Sequence, residues 1–261
     1  MHPEFIRLGP LDIHTYGVLV ALGFIVGLAV ATRRARSEGI PAEQISDFGV
    51  WLIVAGMLGG KLFHIIFFWD DFIAGWHAQG MRSLREGFVF YGGFICATLA
   101  AVVYARLKKL PLAKLADIFA PSIALGHAFG RMGCFFNGCC YGKPCSLPWA
   151  VKFPPPHLMA GIPVHPTEIY EALGNLLIFA GLSLFYHRKR YDGQVFWLYV
   201  LGYGVLRSVV ELFRGDYDIF YFGILTVGQL VAMTMIIVSF AALIASARSG
   251  SPVKATVARG T

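Results

Sequence analysis

The chain has 261 residues, of which 57% are hydrophobic and 14% charged, and its mean hydropathy is +0.64. Soluble domains carry roughly 25% charged residues, so the composition excludes an ordinary soluble globular domain. The net charge of +7 would suit a nucleic-acid binder, but lysine and arginine also collect in the cytoplasmic loops of membrane proteins, and their positions favour that reading over nucleic acid.

Seven apolar segments follow one another. They run about Ile13 to Thr32, Ile45 to Trp69, Phe88 to Ala105, Leu115 to Phe136, Pro166 to Tyr186, Val195 to Phe213 and Ile224 to Ala245. Crossing a bilayer takes about 20 helical residues, and a helix satisfies its own backbone hydrogen bonds in lipid. The expected fold is therefore an all-α integral membrane protein with about seven transmembrane helices. One membrane domain spans 1–246, and 247–261 form a flexible cytoplasmic tail.

The loops sort by charge. Arg33, Arg34 and Arg36 follow segment one, and Arg106, Lys108, Lys109 and Lys114 follow segment three. Arg188, Lys189 and Arg190 follow segment five, and Arg248, Lys254 and Arg259 follow segment seven. With alternating spans these share one side, which the positive-inside rule makes cytoplasmic. The N-terminus is then outside and the C-terminus cytoplasmic. The first arginines follow the first apolar run instead of preceding it, the reverse of a cleaved signal, so segment one is expected to stay. The proline-rich stretch 137–165 reads as a small irregular outer cap.

Charged residues inside the spans are costly, about 2.5–3.5 kcal/mol each near the bilayer centre, and point to an internal site. Lys61, Arg131 and Arg207 are the basic ones; Asp117, Glu168, Glu171 and Glu211 lie in or at the edge of spans. Arg207, Glu211 and Arg214 fall at i, i+4 and i+7, one helix face, with Glu211 expected to orient Arg207 and Arg214 to reach the outer surface. Arg131 lies among Gly126, Gly130 and Gly133, small residues that let helices approach closely. A guanidinium donates parallel hydrogen bonds to phosphate, so Arg131 and Arg207 together make a candidate phosphate clamp. Lys61 is read evenly as a paired or functional charge, and His64 as a packed ring. Cys134, Cys139, Cys140 and Cys145 cluster after segment four. Disulfides, a redox or metal role, and simple packing of small thiols stay open for them. No zinc-type CxxC pair occurs, so the metal reading is the weaker one and no metal ligand is assigned from the sequence.

Gly130-Arg131-Met132-Gly133-Cys134-Phe135-Phe136-Asn137-Gly138-Cys139-Cys140-Tyr141-Gly142 resembles the best-known motif of the prolipoprotein diacylglyceryl transferases. Tyr16-Gly17, Tyr91-Gly92-Gly93, Asp117, His165-Pro166-Thr167-Glu168-Ile169-Tyr170-Glu171 and Gly202-Tyr203-Gly204-Val205-Leu206-Arg207 with Glu211-Leu212-Phe213-Arg214 match in the family's order. The resemblance covers most of the chain. It implies transfer of the diacylglyceryl group of phosphatidylglycerol to the lipobox cysteine thiol of an exported prolipoprotein, at the bacterial inner membrane. The product is a thioether, glycerol 1-phosphate leaves, and no cofactor is needed.

By the same resemblance the catalytic residues are Arg131, Arg207, Tyr91 and His127. Substrate binding falls to Arg131, Arg207, Tyr16, Gly92, Gly93, Asn137, Gly142, Glu168, Tyr170, Tyr203 and Glu211. The sequence departs from the family at three places: Cys134 replaces an Asn, Cys139 replaces a Glu, and Tyr91 replaces the histidine of a His-Gly-Gly motif. His127, one turn before Arg131, reads as well as a packing histidine as it does as a substitute base. Other readings of the same charges are a lipid transporter or lipid-binding protein without chemistry, a related transferase with another acceptor, and a membrane redox protein built on the cysteines.

Overall fold

The computed structural model describes residues 4–8, 11–85, 87–155, 157–215 and 225–249. A hairpin of β1 (Glu4–Leu8) and β2 (Leu11–His14) precedes α1 (Thr15–Ser37). Then come α2 (Ala42–Phe67), α3 (Trp69–Gln79), a 3-10 turn (Gly80–Arg85), α4 (Phe90–Leu107) and α5 (Leu112–Asn137). The short strands β3 (Val151–Lys152) and β4 (Pro163–Val164) pair before α6 (Thr167–Phe185), α7 (Gln194–Glu211) and α8 (Val227–Ser249).

The chain is predominantly α-helical, and among the described residues six helices are long and apolar enough to cross a membrane. These are α1, α2, α4, α5, α6 with the turn after it, and α8. The helix α7 is not among the six. It carries Gln194, Arg207 and Glu211 beside three tyrosine or tryptophan side chains, which lower its apolarity. The helices expose large apolar side chains: Leu58 is 66% exposed, Phe67 68% and Leu177 75%. A soluble protein avoids such continuous apolar surface, whereas lipid tails accept it. The chain is a multi-pass membrane protein.

Two compact units divide the chain, Met1–Ala31 with Ala116–Thr261, and Thr32–Leu115. In the first, α1 lies against α5 where both are small. A Cβ at Gly23 would meet Phe129 Cβ at 3.0 Å and the Gly126 carbonyl at 3.3 Å, and one at Gly27 would meet the Ser122 carbonyl at 3.2 Å. Likewise a Cβ at Gly204 of α7 would meet the Ala232 carbonyl of α8 at 3.1 Å. Close backbone approach of this kind is how helices pack in lipid, where no hydrophobic force drives them together. Asp117 of α5, fully buried, fastens α7: it accepts hydrogen bonds from the backbone N–H groups of Gly193 (2.9 Å) and Phe196 (3.0 Å) and faces Lys189 at 3.5 Å. The negative carboxylate at the start of α7 also complements the helix dipole.

In the second unit α2 and α4 approach through glycine. A Cβ at Gly93 would meet the Gly56 carbonyl at 2.8 Å, and one at Gly59 would meet the Gly92 carbonyl at 2.7 Å. Lys61 donates to the Ser83 carbonyl (3.0 Å) and lies 5.3 Å from the Phe72 ring centre. His64 stacks on Phe68 at 5.5 Å.

Several sequence expectations change. The helices α3 and the β1–β2 hairpin were not foreseen, since α3 is short and carries Asp70 and Asp71 among its apolar residues. Arg214 does not share the helical face of Arg207 and Glu211, because α7 ends at Glu211. It is buried, with its backbone bridged to Gly142, so it does not reach out to a surface. Among the described residues of 138–166 there is no helix, only turns, isolated bridges and the β3–β4 pair, while Asn137 still belongs to α5. Ile224, the expected start of segment seven, and the tail from 250, including Lys254 and Arg259, lie outside the described residues.

Candidate active site

The internal charges of the first unit converge on one carboxylate. Glu171, on the first turns of α6 and 1% exposed, receives Arg131 Nε from α5 at 3.1 Å and Arg207 Nη1 from α7 at 3.5 Å, both on Oε2. Its Oε1 accepts the Tyr203 hydroxyl at 3.0 Å and lies 3.6 Å from His127 Nε2. Arg207 reaches Glu211, one helical turn on, through Nη2 at 2.7 Å. The Thr226 hydroxyl donates to the other oxygen of Glu211 at 2.6 Å.

Sequence spacing explains part of this. His127 and Arg131 are i and i+4 on α5, and Tyr203, Arg207 and Glu211 are i, i+4 and i+8 on α7, so each set lines one helix face. The expectation that Glu211 orients Arg207 matches the observed pair. Two arginines balance two glutamates, so the formal charges of Arg131, Arg207, Glu171 and Glu211 cancel. Buried charges need such pairing, because desolvating an ion costs several kcal/mol.

Glu171 is the site residue that the sequence does not single out: it is one of the intramembrane charges, without a motif that ties it to the arginines. Its position four residues before Asn175, whose amide donates to the Glu171 carbonyl (2.8 Å), left no pattern that marked it as the shared partner.

The other expected residues fall in several places. Tyr16, at the start of α1, packs on Gly133 of α5, where an added Cβ would lie 2.9 Å from its ring, and it interacts electrostatically with Arg131. Asn137 closes α5. Gly142 is clasped between two backbones: its N–H donates to the His165 carbonyl at 3.0 Å, and Lys143 N–H donates to the Phe213 carbonyl at 2.8 Å. The Tyr170 hydroxyl accepts from Trp149 Nε1 at 2.8 Å and lies 3.2 Å from His165 Nδ1. Glu168 is 1% exposed, within electrostatic range of Cys140, Arg214 and Arg131. Tyr91, Gly92 and Gly93 belong to the second unit, where Tyr91 is exposed and the glycines pack against α2.

The segment after α5 is held by its own contacts. Phe153 is buried and stacks on His157 at 4.1 Å. His157 Nδ1 accepts the Met159 N–H (3.0 Å), so its Nε2 carries the proton that is donated to the Gly138 carbonyl at 2.7 Å. Thr167 Oγ1, opening α6, donates to the Cys140 carbonyl at 2.7 Å. All five cysteines are free, so the disulfides weighed from sequence are not formed. The Cys140 thiol is pushed below its ordinary range by hydrogen bonds from the Cys134 and Cys139 sulfurs, and further by the Arg214 and Arg131 charges.

Residues 3–245 match the family described as prolipoprotein diacylglyceryl transferase. The chain belongs to the prolipoprotein diacylglyceryl transferase family. Members of this family similar to it include a phosphatidylglycerol--prolipoprotein diacylglyceryl transferase of Finegoldia magna, 39% identical over 87% of this chain and 88% of the relative. One from Clostridium tetani is 38% identical over 83% of this chain and 86% of the relative. One from a Nostoc species is 31% identical over 92% and 88%. The family resemblance drawn from the motifs is therefore met along nearly the whole chain, and this family member places both motif arginines on a single buried carboxylate.

Proposed function

We propose that this protein transfers the diacylglyceryl group of phosphatidylglycerol to the cysteine thiol of a prolipoprotein lipobox, at the bacterial inner membrane. The observation that carries the reading is the convergence of Arg131 and Arg207, from separate helices, on the Glu171 carboxylate. A carboxylate and a phosphodiester offer a guanidinium the same kind of oxygen acceptors. Two arginines placed to share one anion are thus placed to share the headgroup phosphate, with Glu171 holding them until lipid arrives.

In the reaction the acceptor sulfur attacks the glyceryl carbon that bears the phosphate. A C–S bond forms, the C–O bond breaks, and glycerol 1-phosphate leaves with the bonding electrons. The leaving phosphate gains a negative charge, which fixed guanidinium groups stabilise most where water is scarce. A thiol with a pKa near 8.5 is only a few per cent ionised at pH 7, so its proton needs an acceptor. His127 takes that part in this proposal, since Glu171 at 3.6 Å offsets the charge it would gain. Tyr203 and Glu211 position Glu171 and Arg207, and Tyr16, Asn137, Gly142, Glu168 and Tyr170 shape the approach to them. No metal or cofactor enters these steps.

The proposed arrangement in the membrane has seven spans, α7 included, with the N-terminus and the 137–165 cap outside and the C-terminus cytoplasmic. The acceptor, an exported precursor, is then met on the outer side. Removing one preorganised charge-stabilising donor typically costs 10²–10³ in turnover. Arg131→Ala and Arg207→Ala are each expected to lose at least about 100-fold in glycerol 1-phosphate release while the protein still inserts. Wild-type release from either variant would reject the arginine clamp.

A further inference from the structure

One cluster lies beside the arginine site and has no part in the chemistry above. The sulfurs of Cys134, Cys139 and Cys140 all lie within 4.8 Å of one another. The sequence holds no CxxC pair, so the fold creates this group. Cys134 is in the last turn of α5, and the chain then reverses through two residues in the left-handed region, Gly138 at φ 74° and Cys140 at φ 70°. The Gly138 N–H donates to the Phe135 carbonyl and the Cys139 N–H to the Cys134 carbonyl, both at 3.2 Å. That reversal brings the adjacent thiols back over Cys134.

For a residue with a Cβ the left-handed region is sterically disfavoured, because the Cβ crowds the following carbonyl oxygen. Such residues persist where their surroundings over-determine them, and they concentrate at functional sites. Cys140 is held from outside the loop, since its carbonyl accepts the Thr167 hydroxyl at 2.7 Å.

We propose that Cys134, Cys139 and Cys140 form a three-thiolate binding site for a soft d¹⁰ cation such as Zn(II), Cd(II) or Cu(I). With metal–sulfur bonds of about 2.3 Å, three ligands of one ion stand roughly 3.8–4.0 Å apart, a spacing the observed group accommodates. Thiolates are the ligands that select these ions over hard ones. Three thiolates around a divalent ion leave one net negative charge, and around a monovalent ion two. On binding, each thiol loses its proton to solvent and no electron is transferred. An ion there would staple the end of α5 to the reversal after it, one turn beyond Arg131 and next to the start of α6.

The test does not use turnover, so it is independent of the transferase reading. The full chain in detergent is reduced, stripped of metal and titrated with Cd(II) without oxygen. Bound metal is counted by mass spectrometry, and free thiols by maleimide labelling. One cadmium per chain is expected, with Cys134, Cys139 and Cys140 protected while Cys96 and Cys145 still react. Loss of an outer-shell partner costs about 10–100-fold in metal affinity, so Cys134→Ser should cost more than about 100-fold, and Cys145→Ser nothing. Cys139→Ser, which lies outside the helix, repeats the test if Cys134→Ser does not fold. No bound cadmium, unchanged binding after replacement of all three, or loss of labelling before metal is added through disulfide formation would each overturn the site.

Discussion

Replacing Glu171 with glutamine isolates the carboxylate on which the site is built. The substitution keeps the shape and one acceptor but removes the charge that meets Arg131 at 3.1 Å and Arg207 at 3.5 Å. Breaking a buried ion pair by neutralising one partner costs about 3–5 kcal/mol. Arg207 keeps Glu211 at 2.7 Å, so the lower end, about 3 kcal/mol, is the expected loss. For a chain of this size each kcal/mol moves the melting temperature by roughly 2–4 °C, so Glu171→Gln should melt about 6–12 °C below wild type in neutral detergent. An anion brought to the two arginines should restore part of that loss. Thermal unfolding is therefore followed in detergent with phosphatidylglycerol and, separately, with phosphatidylcholine. Phosphatidylglycerol should raise the variant's melting temperature more than it raises that of wild type, because Glu171 no longer competes with it. Unchanged melting in detergent, or equal rescue by the zwitterionic lipid, would refute the reasoning that Glu171 stands where the phosphate binds.

Other variants probe the supporting groups. Tyr203→Phe removes the 3.0 Å bond to Glu171, worth about 1.5–3 kcal/mol for a bond to a charged group, and should lower turnover roughly tenfold or more without preventing insertion; wild-type turnover would remove Tyr203 from the site. Gly142→Ala would set a Cβ 2.6 Å from the His165 carbonyl and 2.8 Å from that of Phe213. Overpacking against two backbones should cost about 1–3 kcal/mol of stability, read as a lower melting temperature, and a neutral result would show that the clasp is loose. His127→Gln should slow thiol transfer more than Tyr91→Phe does; the opposite ranking in a rate assay would move the proton to Tyr91.

Much of this protein is legible in its sequence. Long apolar runs mark the six candidate spans found among the described residues, because lipid leaves the backbone no alternative to satisfying itself, whereas α7 falls short of them in apolarity. Arg131, His127, Arg207 and Glu211 stood out because charge in an apolar helix is expensive enough to need a reason. What could not be read was convergence. Glu171 looked like one acidic residue among four, and only the meeting of α5, α6 and α7 makes it the partner of both arginines. Arg214 was placed on a helical face by spacing, whereas α7 ends before it and its backbone pairs with Gly142. The three thiols are a similar case: Cys134 is five residues from Cys139, a spacing with no meaning until two left-handed residues fold it shut.

The most direct test of the account is a reconstituted transfer. Purified protein is given phosphatidylglycerol labelled in its acyl chains and in its headgroup, together with a peptide carrying a lipobox cysteine. The account predicts a diacylglyceryl thioether on that cysteine and one glycerol 1-phosphate released for each peptide modified, with both products lost in Arg131→Ala and Arg207→Ala. Lipid binding without either product, or release of glycerol 1-phosphate with the peptide thiol left free, would contradict it.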